Sequence, residues 1–178
     1  YAKWEENKCF IIFDDNNTGT IKLQTINDCV NGVSQNDVVL ESNTFTKTGH
    51  TFTKWTTNAN GNGTSNNNSQ NIGKYNFGTS KVLFLYANWQ VNNYYLDLNG
   101  MLDGNSISNI TNYGKVDVYI DGTKVASQVS DYYTQHPYGT TYEIKNITAD
   151  TGHTYQKVYS GSISGTIGAG NVGVVLQF

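Results

Sequence analysis

The chain ends on Val172-Gly-Val-Val-Leu-Gln-Phe178, in which Val172, Val174, Leu176 and Phe178 fall on every second position. A repeat of two puts those side chains on one face of a strand, whereas a helix would scatter them around its axis. The same alternation recurs upstream. Tyr94, Leu96 and Leu98 oppose Tyr95, Asp97 and Asn99, and Val116, Val118 and Ile120 oppose Asp117 and Tyr119. Asp121-Gly122 then leads into TKVAS, which is a two-residue hairpin signal. In the first half, CFIIF, DDNNTG and TIKLQTI read as strand, turn and strand, and Leu83, Leu85, Ala87 and Trp89 share a face of KVLFLYANW. Asn, Thr, Ser, Gly and 13 Tyr take the place of the usual Lys, Glu, Ala and Leu, which favours pleated surfaces over helices. The chain is β-rich on this reading, and its second half reads as an antiparallel sheet or sandwich that buries one face.

Other segments are less regular. YEIKNI, HTYQKVYSG and SISGTIG supply further short strands, and VVLESNTF is an extended run. Asn27–Asn36 fits either a loop or one helical turn. Asn58–Asn71 is almost wholly Asn, Gly, Ser and Thr and reads as an exposed loop, the least ordered part of the chain. Gln90–Asn93 is the plausible boundary between modules. TGHTFTKW at Thr48–Trp55 returns as TGHTYQKV at Thr151–Val158, so the halves are either diverged versions of one plan or convergent on a turn-plus-strand motif. YAKW at Tyr1–Trp4 nearly repeats YANW at Tyr86–Trp89, as expected if the sequence was cut from an array through the last strand of a preceding unit.

Charge narrows the partners. Only 14% of the residues are charged, the net charge is −3 and the pI is near 5.5, with no Lys/Arg run to neutralise phosphates. Nucleic acid is therefore not an expected partner. The apolar stretches are strand-length, so membrane insertion is not expected either. Cys9 and Cys29 are either one bridge near the open end of the first hairpin or two buried thiols.

The order F-D-x-N-x-x-T-G-T, N-x-F-T-K-T-G-H-T-F-x-K-W, a Gly/Asn loop and L-Y-A-N-W resembles the internalin B-repeat family, also called the Listeria–Bacteroides repeat. The matching residues are Phe13, Asp14, Asn16, Gly19, Phe45, Thr48, Gly49, Thr51, Phe52, Trp55, Leu85, Tyr86, Ala87 and Trp89. His50 stands where the family usually has Tyr, and Lys54 where it has Gly. The resemblance implies a β-grasp-like repeat over residues 9–90, preceded at 1–8 by a repeat tail and connector. It also implies tandem use on extracellular, cell-surface or secreted bacterial proteins. Residues 91–178 form a second, antiparallel β-sandwich-like module on this reading, similar to accessory modules of gut-bacterial surface proteins through DVYIDG and YGTTYEI. The implied role is a non-catalytic spacer or adhesion segment. The alternative is a carbohydrate-binding module on a glycan-degrading enzyme. Expected partners are further domains of the same chain, with a host or dietary glycan or a host surface protein as ligand.

No catalytic motif stands out. His50 and His153 occupy equivalent places in the TGHT repeat, which favours a packing or strand-surface role, and neither G-x-S-x-G nor H-E-x-x-H occurs. Asp97, Asp117 and Asp131 have the chemistry of a glycosidase pair, yet Asp97 and Asp117 belong to polar strand faces and read as solvated. Asp14-Asp15-Asn16-Asn17, and Asp97-x-Asn99 with Asp103-x-Asn105, lack the spacing of a calcium loop; Asx turns are the simpler reading. No cofactor or metal is expected. The remaining candidate is DYYTQHPYGTTY, which gathers Tyr132, Tyr133, His136 and Tyr138 around a Pro/Gly turn. Such rings either stack on sugars or pack into a core.

Overall fold

A computed structural model describes residues 7–178, so the YAKW repeat at Tyr1–Trp4 lies outside the described residues. The described residues form strands, turns and coil with no helix. They divide into two compact units, one ending at Gln90 and the other beginning at Val91.

In the first unit, β1 (Cys9–Asp14) and β2 (Ile21–Ile26) form the expected hairpin. β3 (Cys29–Val30) and β4 (Val33–Ser34) follow, then β5 (His50–Thr56), β6 (Ser65–Asn66) and β7 (Val82–Val91). One sheet runs β2-β1-β7-β5-β6. Its central pair is parallel, with Phe10 opposite Val82 and Asp14 opposite Tyr86. Alternation reports which face is buried, and it carries no information on the direction of the neighbouring strand.

Residues between the strands close this unit. Segment 27–36 is neither a loop nor a helical turn. It is a small hairpin turned at Asn31-Gly32, both at positive φ (50° and 79°), as a two-residue I′ turn requires. The run at 38–45 stays outside the sheet and is fastened to residues 70–73 by Val38 N–H to Gly73, Leu40 N–H to Gln70 and Ile72 N–H to Val38. The Asn-rich stretch is pinned as well. β6 within it pairs with Trp55 and Thr56. The side chains of Asn58, Asn60 and Asn71 accept backbone N–H groups two residues on, which is how so polar a segment satisfies its own amides.

The inner face presents Cys9, Ile11, Phe13, Trp55, Leu83, Leu85 and Ala87, packed with Val38, Leu40 and Phe77 from outside the sheet. Trp55 is 1% exposed and sits at its centre, 4.7 Å from the Phe13 ring and 4.9 Å from Phe52. Cys9 and Cys29 are bridged at a Cα separation of 5.6 Å, which resolves the two readings of these residues.

The second unit contains β8 (Asn93–Leu102), β9 (Asn105–Ile107), β10 (Gly114–Ile120), β11 (Thr123–Val129) and β12 (Tyr132–Pro137). β13 (Thr141–Ala149), β14 (Lys157–Ser160), β15 (Ser164–Thr166) and β16 (Val172–Gln177) complete it. One sheet runs β12-β8-β16-β14 with β9 beside β8, and the other runs β11-β10-β13-β15. Leu96, Leu98, Val174 and Leu176 from the first meet Val116, Val118, Tyr142 and Ile144 from the second in one core. Asp121-Gly122 turns β10 into β11 as expected, and Asp103-Gly104 turns β8 into β9 in the same way. β8 and β16 are parallel, so this module is mixed too, where an antiparallel one was expected.

The units share a plan. In each, the first described strand lies parallel to the last, and the last strand's other neighbour follows a TGHT turn: β5 in one, β14 in the other. Both turns place Gly at positive φ (Gly49, 69°; Gly152, 89°) and close by His N–H to a carbonyl three residues back, 3.0 Å each.

Candidate functional site

The tyrosine-rich stretch becomes β12, and its register on β8 decides what each ring does. Tyr132 lies opposite Leu98, Thr134 opposite Leu96 and His136 opposite Tyr94, so the three share a face, on which Tyr132 and His136 are half-buried and Thr134 is exposed. Tyr132 packs partly buried against the core, and its Oη lies 3.0 Å from His136 Nε2. Burial pushes the Tyr132 hydroxyl above its ordinary pKa. Burial also lowers that of His136, against a smaller opposing pull from Asp121. Both shifts are those of packed groups. Tyr138 is half-buried beyond the strand, its N–H bonded to Asn92.

Tyr133 belongs to the opposite face. It lies across from Asp97, is 59% exposed, and stacks on Tyr95 with centroids 4.0 Å apart and planes 6° apart. The structure therefore brings Tyr132 and His136 together and separates both from Tyr133. Since strand neighbours point to opposite faces, no single site can use adjacent Tyr132 and Tyr133. Tyr95 was missed as a candidate, although its place opposite Leu96 in the alternation of β8 was the available signal.

The outward face of this sheet continues from the tyrosine pair. Asp97 lies between Tyr133 on β12 and Gly173 on β16, and Asn99 lies beside Val175. Asn99, Gly100, Ser106, Ile107, Ser108 and Val175 line a cavity of about 260 Å³ at that end.

Asp131 is exposed, whereas Asp117 and Asp15 are structural. Asp117, expected to be solvated, is 2% exposed. Its oxygens accept from Lys124 Nζ (2.8 Å), Asn146 Nδ2 (2.7 Å), Gln128 N (2.8 Å) and Ser127 Oγ (3.2 Å). The Lys124 contact comes first among the causes that hold this carboxyl far below the usual range, and Lys124 is itself raised. In the DDNNTG turn, the Asp15 carboxylate accepts the N–H groups of Asn17, Thr18 and Gly19, and Asn16 Nδ2 donates to Ala59 and Ala87 carbonyls. Asp103 sits at a hairpin turn and Met101 is buried. Among the described residues no three His, Cys, Asp or Glu side chains gather as metal ligands.

Two further features lie in the first unit. A cavity of about 240 Å³ is lined by Asp15, Thr18, Thr20 and Thr44–Thr46, but the hydroxyls of Thr18 and Thr20 and the Asp15 carboxylate are engaged with one another. On the outer sheet face, Leu23, Ile12 and Phe84 form a row across β2, β1 and β7, with Leu23 56% and Phe84 48% exposed.

Comparisons of the chain with protein-family models, with curated proteins and with solved structures give no match.

Proposed function

We propose that the chain is a non-catalytic segment of a bacterial cell-surface or secreted multidomain protein, acting as a load-bearing spacer or adhesion stalk. In this reading the first unit is an internalin-B-type, β-grasp-like repeat, and the second is a sandwich-like elaboration of the same plan. The carrying observation is the parallel pairing of first and last strands, β1 with β7 and β8 with β16. Parallel neighbours have their entry and exit at opposite ends of the sheet. Tension applied through the chain on either side of a unit then loads the hydrogen bonds between these strands in shear, all at once. A hairpin pulled at its open end loses them one by one. Entry and exit at opposite ends also suit units strung in series.

The Cys9–Cys29 bridge supports an oxidising, extracellular compartment. No helix among the described residues is long and apolar enough to cross a membrane. Stretching single molecules by their two ends tests the proposal. Each unit is expected to unfold in its own event, and the second unit at a force well above that needed when it is pulled apart across the open end of the β10–β11 hairpin. Equal forces in both geometries would refute a load-bearing role.

A further inference from the structure

We infer that the outward face of β12, β8 and β16 is a binding groove for a neutral polysaccharide, with Tyr133 and Tyr95 as its stacking surface. Asp97, Asn99, Ser106 and Ser108 are its hydroxyl partners. This goes beyond the spacer reading and does not depend on it, since a stalk needs no ligand.

The first support is the aromatic pair. Stacking covers one face of each ring and leaves the other free, and Tyr133 remains 59% exposed. Tyr133 lies opposite Asp97, and Tyr95 stands one same-face step back along β8. One ring face of Tyr133 stays uncovered, on the side away from Tyr95. A pyranose presents an apolar C–H face and a rim of hydroxyls, so it needs an exposed ring flanked by polar groups.

Those polar groups follow in line. From Tyr95 to Asn99 the strand advances about 13 Å, enough for a short oligosaccharide. At Gly173, opposite Asp97, no atom lies within 4 Å of where a Cβ would stand, so the floor between ring and cavity is open. The cavity beyond it is lined by the apolar Val175 together with the polar Asn99, Ser106 and Ser108.

The availability of these groups is the third support. Several Asn side chains elsewhere are spent on local backbone: Asn43, Asn58, Asn71, Asn76 and Asn109 each accept an N–H two residues on. The side chains of Asp97, Asn99, Ser106 and Ser108 make no hydrogen bond with any described residue. Asp97 is the one charged member of the set. It accepts bonds from sugar hydroxyls and repels uronate or sulfate groups, which selects neutral polymers.

Affinity electrophoresis and calorimetry of the whole chain against β-glucan, xylan, galactomannan and starch, with polygalacturonate as the acidic comparator, test the inference. At least one neutral polymer is expected to bind and polygalacturonate to be ignored. Tyr133→Ala should weaken binding at least tenfold. Gly173→Val, whose Cβ meets no atom within 4 Å, should do the same while the melting temperature holds. Tyr132→Phe, on the inner face, should bind as the parent does. Failure of every neutral polymer to bind overturns the groove. So does binding that survives both Tyr133→Ala and Gly173→Val, an equal loss in Tyr132→Phe, or tighter binding of polygalacturonate. None of these results bears on the pulling experiment, so the two readings fail separately.

Discussion

The indole Nε1–H of Trp89 donates to the backbone carbonyl of Asp15 at 2.7 Å, across 74 positions of sequence. Asn16, the next residue, donates its side-chain amide to the carbonyl of Ala87. The turn of the β1–β2 hairpin is thereby fastened to β7, the strand that β1 already pairs with. Burial pushes the Asp15 carboxyl up, but its hydrogen bonds from Thr18, Asn17 and Gly19 together bring it below its ordinary 3.8. Residues that read in sequence as Asx turns are thus occupied in holding a turn against a strand.

Trp55 and Trp89 differ in what they contribute, and urea denaturation should separate them. Trp55→Ala is expected to cost about 3–5 kcal/mol, because it empties the centre of the aromatic cluster. Trp55→Phe should be much milder, since Trp55 Nε1 is buried without a hydrogen-bond partner and its loss offsets part of the lost packing. Trp89→Phe should cost about 1 kcal/mol through the Asp15 bond. A normal melt for Trp55→Ala would sink the assigned core.

The Cys9–Cys29 bridge closes a span of 20 residues. Its removal by Cys9→Ser with Cys29→Ser is expected to lower stability by about 3 kcal/mol, mainly by freeing the unfolded chain. Denaturant midpoints with and without reductant check this. Free thiols in the untreated protein would contradict the bridge itself.

Asp117 makes the second unit acid-sensitive. Its folded pKa is depressed, so the unfolded chain binds the proton more tightly. The stability it contributes is present above the unfolded value of 3.8 and is lost as pH falls below it. Asp117→Asn should lower the melting temperature at neutral pH and flatten the acid limb of the stability profile. A parallel shift with the acid slope unchanged would assign that slope to other carboxylates.

Each unit has its own core, so a fragment ending at Gln90 and one beginning at Val91 are expected to fold alone. Dispersed amide spectra from both fragments check this. If neither folds while the whole chain melts in one step, the division at Gln90 is wrong.

Much of the local architecture was legible in sequence. Alternation placed Leu96, Leu98, Val174 and Leu176 on buried faces, since a period of two leaves a strand no other way to bury them. Asp121-Gly122 announced its hairpin because few residue pairs accept positive φ twice in succession. Asn31-Gly32 and Asp103-Gly104 carried the same signal and were passed over: the first lies in an apolar-poor stretch, the second in what read as a failed calcium loop.

Tertiary structure decided the rest. Nothing in CFIIF or KVLFLYANW specifies that β1 and β7 run parallel, because strand direction depends on the long crossover between them. Asp117 alternates like a solvated residue, yet Lys124, Ser127, Gln128 and Asn146 come from neighbouring strands to enclose it. Tyr132 and Tyr133 are adjacent and chemically identical, and the sequence cannot rank them. The register of β12 on β8 sends one into the core and leaves the other on the surface beside Tyr95, because side-chain direction becomes inside or outside only once a second layer covers one face.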